Sequence, residues 1–254
     1  MQGIFSMIFW VYFFFFSLAF VLGVFILYPI SHFLTKGDRL NHFLGCVWGY
    51  WSLAANPFWK IQFIGREKIR RDQTYVLVSN HQSLFDIMIL YGLFCHFKWL
   101  AKKSLTRVPI IGWGLHLNHY VLVKRGDQES RHQALDQCRK WLRNGVSILI
   151  FPEGTRSKTG ELQEFHAGAF RLAIEEKVDI IPIVIQGSRD ILPKTGFKIG
   201  GKSHVTIHIL DPISAFSFPN DVEELKNKTH QIMSHFLNHG QKEEEKKRIV
   251  ETVH

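Results

Sequence analysis

The chain begins with a long apolar run that carries no charge. Residues 4 to 30 are almost wholly apolar, and no Asp, Glu, Lys or Arg occurs before Lys36. Such a run exceeds the roughly 20 apolar residues with which a helix spans a bilayer. A secretory signal is disfavoured, because no basic segment precedes the run and no A-x-A cleavage pattern follows it. Burial inside a soluble domain is the weaker alternative, since a helix that is apolar all round needs protein all round it.

A second uncharged stretch follows at residues 40 to 59, where Trp and Tyr mix with polar residues such as His42 and Asn56. This mixture is typical of the bilayer interface. The two stretches predict an N-terminal pair of membrane-binding helices within residues 1–60. The first spans the bilayer or sits deep in it, and the second lies on its surface. Because Lys and Arg follow the first run and none precedes it, the rest of the chain is expected on the cytoplasmic face, which in a bacterium is that of the inner membrane.

Between residues 61 and 215 the pattern changes to short apolar runs that alternate with stretches of helical spacing. The predicted strands cover residues 75–79, 120–123, 146–151, 180–185 and 205–210. One predicted helix begins near Ser83, and two others cover residues 129–144 and 168–177. The glycines in IIGWGLHL, residues 110–117, predict a loop or a shallow apolar dip into the membrane surface. This alternation favours an α/β domain with a mixed, largely parallel sheet flanked by helices. Residues 216–254 predict a helical tail with a charged, solvated end.

The formal net charge of +9 favours an anionic partner, which could be nucleic acid, a membrane surface or a phosphorylated substrate. The three cysteines are scattered and form no C-x-x-C pair, so they predict neither a disulfide framework nor a zinc site. Residues 196–203, GFKIGGKS, fit the pattern of a phosphate-binding P-loop. However, a strand-like run follows them where that motif needs a helix. A basic surface hairpin is the better prediction.

The heptapeptide NHQSLFD, residues 80–86, follows the predicted strand 75–79 and allows two interpretations. Ser83 and Asp86 fit a capping box that begins a helix at Ser83. Alternatively, His81 and Asp86 are a base and the group that orients it. Positions five apart on one ideal helix lie about 140° apart, so these two side chains meet only if His81 precedes the helix. The cap and the dyad are therefore compatible, and ligands of α/β sheets usually bind at such a turn.

A second polar segment, FPEGTRS at residues 151–157, begins where the predicted strand 146–151 ends. Gly154 allows close backbone approach, Thr155 can donate a hydrogen bond, and Arg156 can hold a phosphate through paired hydrogen bonds. The alternative is an ordinary solvent loop with an ion pair between Glu153 and Arg156, which would be worth little when exposed.

These segments resemble the 1-acylglycerol-3-phosphate acyltransferase family of glycerolipid acyltransferases. The first family motif, His-x4-Asp, is matched by His81 and Asp86, and the third is matched by FPEGTRS. The second motif is matched by Lys102, Leu105, Pro109, Gly112, Trp113 and Arg125. The fourth motif is matched by Ile181, Pro182 and Ile183. Two positions depart, since His119 stands where the family often has Gly, and Lys124 where Asp commonly precedes the arginine. The resemblance covers about residues 60 to 215.

The resemblance implies a fold like that of glycerol-3-phosphate acyltransferase. It also implies acyl transfer from a thioester to the sn-2 hydroxyl of 1-acylglycerol-3-phosphate, which yields phosphatidic acid in phospholipid biosynthesis. His81 would be the base and Asp86 its orienting partner. The implied substrate-binding residues are Glu153, Gly154, Thr155, Arg156, Arg125 and Lys102. No cofactor or metal is expected, because acyl-CoA or acyl-carrier protein is a co-substrate.

Alternatives remain open at this point. The acceptor could be another lysophospholipid or a lyso-aminolipid, and a non-catalytic, basic membrane-binding protein is the distant alternative. The implied partners are the bilayer, a membrane lipid acceptor and the acyl donor, with no nucleic acid. The sequence does not distinguish CoA from carrier protein, and it does not give chain-length preference, oligomeric state or the oxyanion donors.

Overall fold

The computed structural model describes residues 2–34, 38–54 and 56–240. The helices are α1 (Gln2–Leu34), α2 (Asp38–Ala54), α3 (Asp86–Tyr91), α4 (Ile111–Leu117), α5 (Gln128–Arg143), α6 (Gly168–Glu176), α7 (Ser188–Ile191) and α8 (Val222–His235). The strands are β1 (Trp59–Ile64), β2 (Tyr75–Ser79), β3 (Phe97–Lys102), β4 (Val121–Val123), β5 (Ser147–Ile150), β6 (Asp179–Gln186) and β7 (Ser203–Ile209). The charged tail expected to end in a solvated helix lies at 241–254, outside the described residues.

The seven strands form one sheet in the order β1-β7-β6-β2-β5-β3-β4. Neighbours from β6 to β4 are all parallel, whereas β7 is antiparallel to β6, and β1 is parallel to β7. The predicted mixed, largely parallel sheet is therefore confirmed. Strand β2 lies at its centre and is buried along its whole length, as its run of apolar residues predicts.

Helices cover both faces of the sheet. Residues of β2 alternate between two cores, since Leu77 packs with α1 to α4 while Val76 and Val78 pack with α5, α6 and α8. A strand places successive side chains on opposite faces, so a fully apolar strand needs such a double cover. The carboxyl ends of β2, β5, β3 and β4 consequently meet at one edge between the two helical layers, where a site can form.

Strands β1 and β3 were not predicted. In β3, Lys98 interrupts an otherwise apolar run, yet this side chain is fully buried. Its Nζ donates to the carbonyl oxygen of Asn118 at 2.6 Å and lies 4.3 Å from the centre of the Trp141 ring. A buried ammonium needs such partners, and a reading based on apolar periodicity does not foresee them.

The segment IIGWGLHL forms helix α4 and not the predicted loop. Its glycine at position 112 serves close packing, because a Cβ atom there would lie 2.2 Å from the carbonyl oxygen of Thr106. Glycine therefore lets α4 approach the preceding 3-10 turn, Lys103–Arg107. Any side chain at position 112 would prevent this close approach.

The first half of α1 is packed against the α/β domain. The ring of Phe9 lies 5.1 Å from that of Trp59 and 5.7 Å from that of Phe85. The opposite side of the helix is exposed and apolar, with Ile8 and Phe15 about 60% accessible (59% and 62%). Within the described part of the chain, α1 alone is long and apolar enough to cross a membrane, over Gly3–Leu27.

Residues 196–202 form a partly exposed loop that contacts α1. They do not form the predicted basic surface hairpin, because none of the described residues between α7 and β7 forms a strand. The indole of Trp10 donates to the carbonyl oxygen of Phe197 at 2.7 Å, and the backbone N–H of Ile199 donates to Ser6 Oγ at 2.9 Å. Ile199 is fully buried, which explains why this glycine-rich segment carries an isolated isoleucine. Strand β7 follows directly and no helix does, so the P-loop is excluded.

Candidate active site

His81 is held at the carboxyl end of β2 by the residue that precedes it. The Asn80 side chain donates to the Ile185 carbonyl oxygen at 2.9 Å and accepts from the Ile185 N–H at 2.7 Å. These two bonds extend the pairing of β2 with β6 by one residue, although the backbone has already begun to turn. Asn80 thereby fixes where the turn begins, a role that was not predicted from the sequence.

His81 and Asp86 form the predicted pair. His81 Nδ1 lies 2.8 Å from Asp86 Oδ2, and the side chains are 12% and 0% exposed. The imidazole also stacks on the ring of Phe151, with centroids 4.0 Å apart and planes 12° apart. Nε2 makes no hydrogen bond to the described part of the chain, so this nitrogen is available to a substrate. A histidine held in this way can act as a general base.

Asp86 organises the turn as well as the histidine. Its Oδ2 also accepts the backbone N–H groups of Gln82 at 2.7 Å and Ser83 at 2.8 Å. The predicted capping box is therefore half realised, because Asp86 reaches back to Ser83 but Ser83 Oγ accepts from Phe85. Helix α3 begins at Asp86 and not near Ser83, since residues 84 and 85 form a separate turn.

The FPEGTRS loop is attached directly to the backbone of His81. The His81 N–H donates to Glu153 Oε1 at 2.8 Å, and the His81 carbonyl oxygen accepts from the Ser157 N–H at 2.7 Å. Glu153 Oε2 accepts both the backbone and the side-chain N–H groups of Gln163 at 3.0 Å. Burial raises the pKa of the Glu153 carboxyl, and these hydrogen bonds oppose that rise. Both oxygens of Glu153 are thus committed to protein groups that join the two motifs.

Gly154 is required by the shape of this loop. Its φ of +67° lies in the left-handed region, and a Cβ atom there would approach the His166 ring to 3.1 Å. Both features exclude a larger residue without a shift of the loop. His166 was not singled out from the sequence, because nothing in its local pattern indicates that it faces residue 154.

Lys194 is a further cation that the sequence reading missed. It lies in the loop after α7, and its Nζ donates to the carbonyl oxygen of Arg156 and lies 3.4 Å from Thr155 Oγ1. An ammonium has three N–H donors, so one remains for a ligand. The side chains of Thr155, Arg156 and Lys194 are all partly exposed. The tertiary fold therefore adds a second positive charge to the predicted phosphate loop.

A cavity of about 1080 Å³ adjoins His81. This volume slightly exceeds the roughly 300–1,000 Å³ typical of ligand sites. Apolar side chains from α1, α2, α3, β3 and α4 form much of its wall, among them Phe13, Val21, Trp48, Met88 and Leu115. His81, Glu153, Gly154 and Thr155 also lie in the wall, whereas Arg156 lies beside it.

Two further cations that the family resemblance implies as substrate-binding residues also reach this cavity. Lys102 ends β3 and Arg125 follows β4, and both exposed side chains line the wall. Among the described residues, no three His, Cys, Asp or Glu side chains are grouped to hold a metal ion. The arrangement therefore combines one oriented imidazole, several cations and an apolar cavity.

The sequence of this chain is similar to those of known proteins. A family model described as "Acyltransferase" matches residues 60–186. A 1-acyl-sn-glycerol-3-phosphate acyltransferase of Chlamydomonas reinhardtii is 36% identical over 190 residues, which are 74% of this chain and 57% of the relative. A chloroplastic 1-acyl-sn-glycerol-3-phosphate acyltransferase of Arabidopsis thaliana is 38% identical over 69% of this chain and 49% of its own length. The chain thus spans about half the length of these relatives.

A solved structure shares the fold. The 1-acyl-sn-glycerophosphate (LPA) acyltransferase PlsC from Thermotoga maritima superposes with a TM-score of 0.80 at 24% identity, over 95% of this chain and 98% of that chain. The matched family segment runs from β1 through β6 and contains both motifs that meet at His81. The family resemblance inferred from those motifs is confirmed, and the chain belongs to the acyltransferase family.

Proposed function

We propose that the protein transfers a fatty acyl group from an acyl thioester to the sn-2 hydroxyl of 1-acylglycerol-3-phosphate and so makes phosphatidic acid. The observation that carries this proposal is the buried His81–Asp86 pair, joined to the FPEGTRS loop and placed in the wall of a largely apolar cavity. The names of the two plant-type relatives support the choice of acceptor.

In the proposed reaction, His81 Nε2 takes the proton of the acceptor hydroxyl while the hydroxyl oxygen attacks the thioester carbonyl carbon. The C–S bond then breaks, and the imidazolium returns the proton to the departing thiolate, so that the ester and a free thiol leave. Asp86 accepts from His81 Nδ1 at 2.8 Å, which fixes the tautomer and stabilises the imidazolium. A thioester carbonyl is already electrophilic, so a base that works near neutral pH is sufficient.

The acceptor phosphate would bind at the FPEGTRS loop. Thr155, Arg156 and the backbone at Gly154 are the proposed ligands, and Lys194 supplies a further ammonium beside them. Glu153 supports the loop and does not bind the substrate, because its two oxygens already accept from His81 and Gln163. Lys102 and Arg125 would attract anions at the cavity wall.

The apolar part of the cavity suits an acyl chain. Its walls from α1, α2 and α4 exclude water from a hydrocarbon that extends away from His81. The same helices carry the exposed apolar surface, so a lipid could enter from the bilayer without crossing water. No metal or cofactor takes part in this proposal.

The membrane position follows from how α1 is packed. One face of its first half contacts the domain through Phe9 and Trp10, and the other face is exposed. We therefore propose that α1 lies in one leaflet with its exposed face toward the lipid, and that the domain is on the cytoplasmic face. The formal net charge of +9 would favour anionic lipid.

A His81→Ala variant tests the proposed reaction. Loss of an aligned base typically lowers the rate by roughly 10²- to 10⁴-fold, so thiol release from acyl-CoA or acyl-carrier protein with lysophosphatidic acid should fall by that amount. His235→Ala removes an exposed histidine of α8 and should leave the rate unchanged. Equal rates for the two variants would contradict the role of His81. A preference for an acceptor that lacks a phosphate monoester would reject the named acceptor.

A further inference from the structure

One group of basic side chains in the cavity wall, Arg125 among them, is not among the ligands proposed for the acceptor phosphate. It comprises basic residues from the end of β4, from α5 and from the region of α6, and we call it the cationic wall: Lys124, Arg125, Arg131, His132, His166 and Arg171. All six are exposed although they line a cavity, so they lie where the cavity meets solvent. Among the described residues that line the cavity, Glu153 alone is acidic, and its carboxylate already accepts hydrogen bonds from protein groups.

The positive charge of this wall is largely uncompensated. Lys124 pairs with Asp127 at 3.1 Å, but Arg125, Arg131 and Arg171 have no carboxylate partner within the described part of the chain. Further along α5 the pattern is different. Arg139 pairs with Glu175 at 2.6 Å, and Arg143 pairs with Glu176 at 2.7 Å. The same two helices therefore neutralise their arginines away from the cavity and leave them free beside it.

The start of helix α6 adds to this charge. Helix α6 begins at Gly168, which lies in the cavity wall, and no described side chain caps it. The start of α5 contributes less, because the Asp127 carboxylate caps it by accepting from the Ser130 N–H at 3.0 Å. The N-terminus of a helix carries a partial positive charge, and anions are favoured there. Unpaired arginines and one uncapped helix start at one opening indicate a ligand with several negative charges.

We propose that the cationic wall binds the phosphate groups of the coenzyme A portion of the acyl donor. This inference rests on the proposed acyl transfer, which requires a thioester but does not specify its carrier. The unpaired arginines of the wall line a concave opening that also contains His81, and this shape fits a compact polyphosphate with a long, uncharged arm. An acidic carrier protein would need cations spread over an outer surface, where the arginines of α5 are instead paired.

The test compares one acyl chain as the thioester of CoA, of pantetheine and of acyl carrier protein, with lysophosphatidic acid as acceptor. The variants are Arg131→Gln, Arg171→Gln and both together, and Arg139→Gln on the same helix is the matched control. The double variant should raise the KM for acyl-CoA roughly 5- to 20-fold, because two charge-assisted contacts are lost. Its KM for acyl-pantetheine and for the acceptor should not change, and added salt should weaken acyl-CoA binding less than in the natural protein.

Each other outcome has a defined meaning. An equal rise in the KM for acyl-CoA and acyl-pantetheine, or no rise in either, overturns the proposal. A rise only for the carrier-protein thioester assigns the wall to a protein donor, and a rise only for lysophosphatidic acid assigns it to the acceptor, so both overturn it as well. The proposed function fails separately, if the natural protein turns over none of the three thioesters.

Discussion

Asp86 uses its two carboxylate oxygens unequally. Oδ2 accepts from His81, Gln82 and Ser83, whereas Oδ1 is buried and has no hydrogen-bond partner among the described residues. An asparagine could keep the accepting oxygen in place and put its amide nitrogen where Oδ1 is now. The turn would then survive, but the negative charge that stabilises an imidazolium would be lost.

We therefore expect Asp86→Asn to fold and to lose activity by roughly 10²- to 10⁴-fold. The loss should fall mainly on kcat, because the residue acts in the reaction and does not hold the substrate. Steady-state kinetics would measure the loss, and circular dichroism would check the fold. Asp190→Asn changes an exposed aspartate and serves as the control. Activity within a few-fold of the natural protein would show that orientation by a charge is not needed.

Lys194 gives a second prediction at this scale. Its ammonium lies beside Thr155 and Arg156, where we place the acceptor phosphate. Lys194→Met should raise the KM for lysophosphatidic acid by roughly tenfold, the effect of one charged contact. The KM for a monoacylglycerol acceptor should stay the same, because that lipid carries no phosphate. Lys198→Met in the same loop is the control. If the KM rises equally for both acceptors, Lys194 only supports the loop and does not bind the phosphate.

At the scale of elements, α2 is attached to the sheet through a buried histidine. His42 Nδ1 lies 3.0 Å from the Tyr120 hydroxyl, and Nε2 lies 2.8 Å from the Cys95 carbonyl oxygen. Burial, and then the nearby His96, lower the pKa of His42 to about 3. The neutral ring is therefore part of the contact between α2 and β3, and a proton on it would oppose that contact.

This contact predicts that acid weakens the fold. Between pH 6.5 and about 3 the unfolded chain binds a proton at His42 while the folded chain does not. The free energy of unfolding should therefore decrease as the pH is lowered through this range. The slope from this one group is at most about 1.4 kcal/mol per pH unit. Thermal unfolding in mild detergent from pH 8 to pH 4 would measure it. His42→Gln should reduce the slope, and an unchanged slope would contradict the assignment.

The elements also show which features a sequence pattern can reveal. Strand β2 and helix α5 could be predicted, because their own residues carry the period-two or helical signal. Strand β3 could not, since the lysine at its second position is buried through Asn118 and Trp141, which come from other parts of the chain. The same holds for the site. His81, Asp86 and the FPEGTRS loop lie in local motifs, whereas Lys194 and His166 reach it only through the tertiary fold.

At the scale of the whole molecule, the exposed apolar face of α1 lies next to the helices that line the cavity. Ile8, Val11 and Phe15 lie on this face, and each is more than half exposed (59%, 52% and 62%). Removing a buried apolar side chain of this kind from lipid costs about 1.5–3 kcal/mol. If this face rests in the bilayer, it determines both where the protein binds and how a lipid reaches His81.

Replacing Ile8, Val11 and Phe15 together by serine should therefore lower binding to anionic vesicles more than 100-fold, since three losses of about 1.5 kcal/mol or more add up. Vesicle flotation would measure it, and Phe216→Ser is the control because Phe216 is 66% exposed on another part of the molecule. The triple variant should also lose activity on acceptor held in vesicles, yet keep it on acceptor dispersed in detergent. Unchanged flotation, or an equal loss in the control, would mean that another surface holds the protein on the membrane.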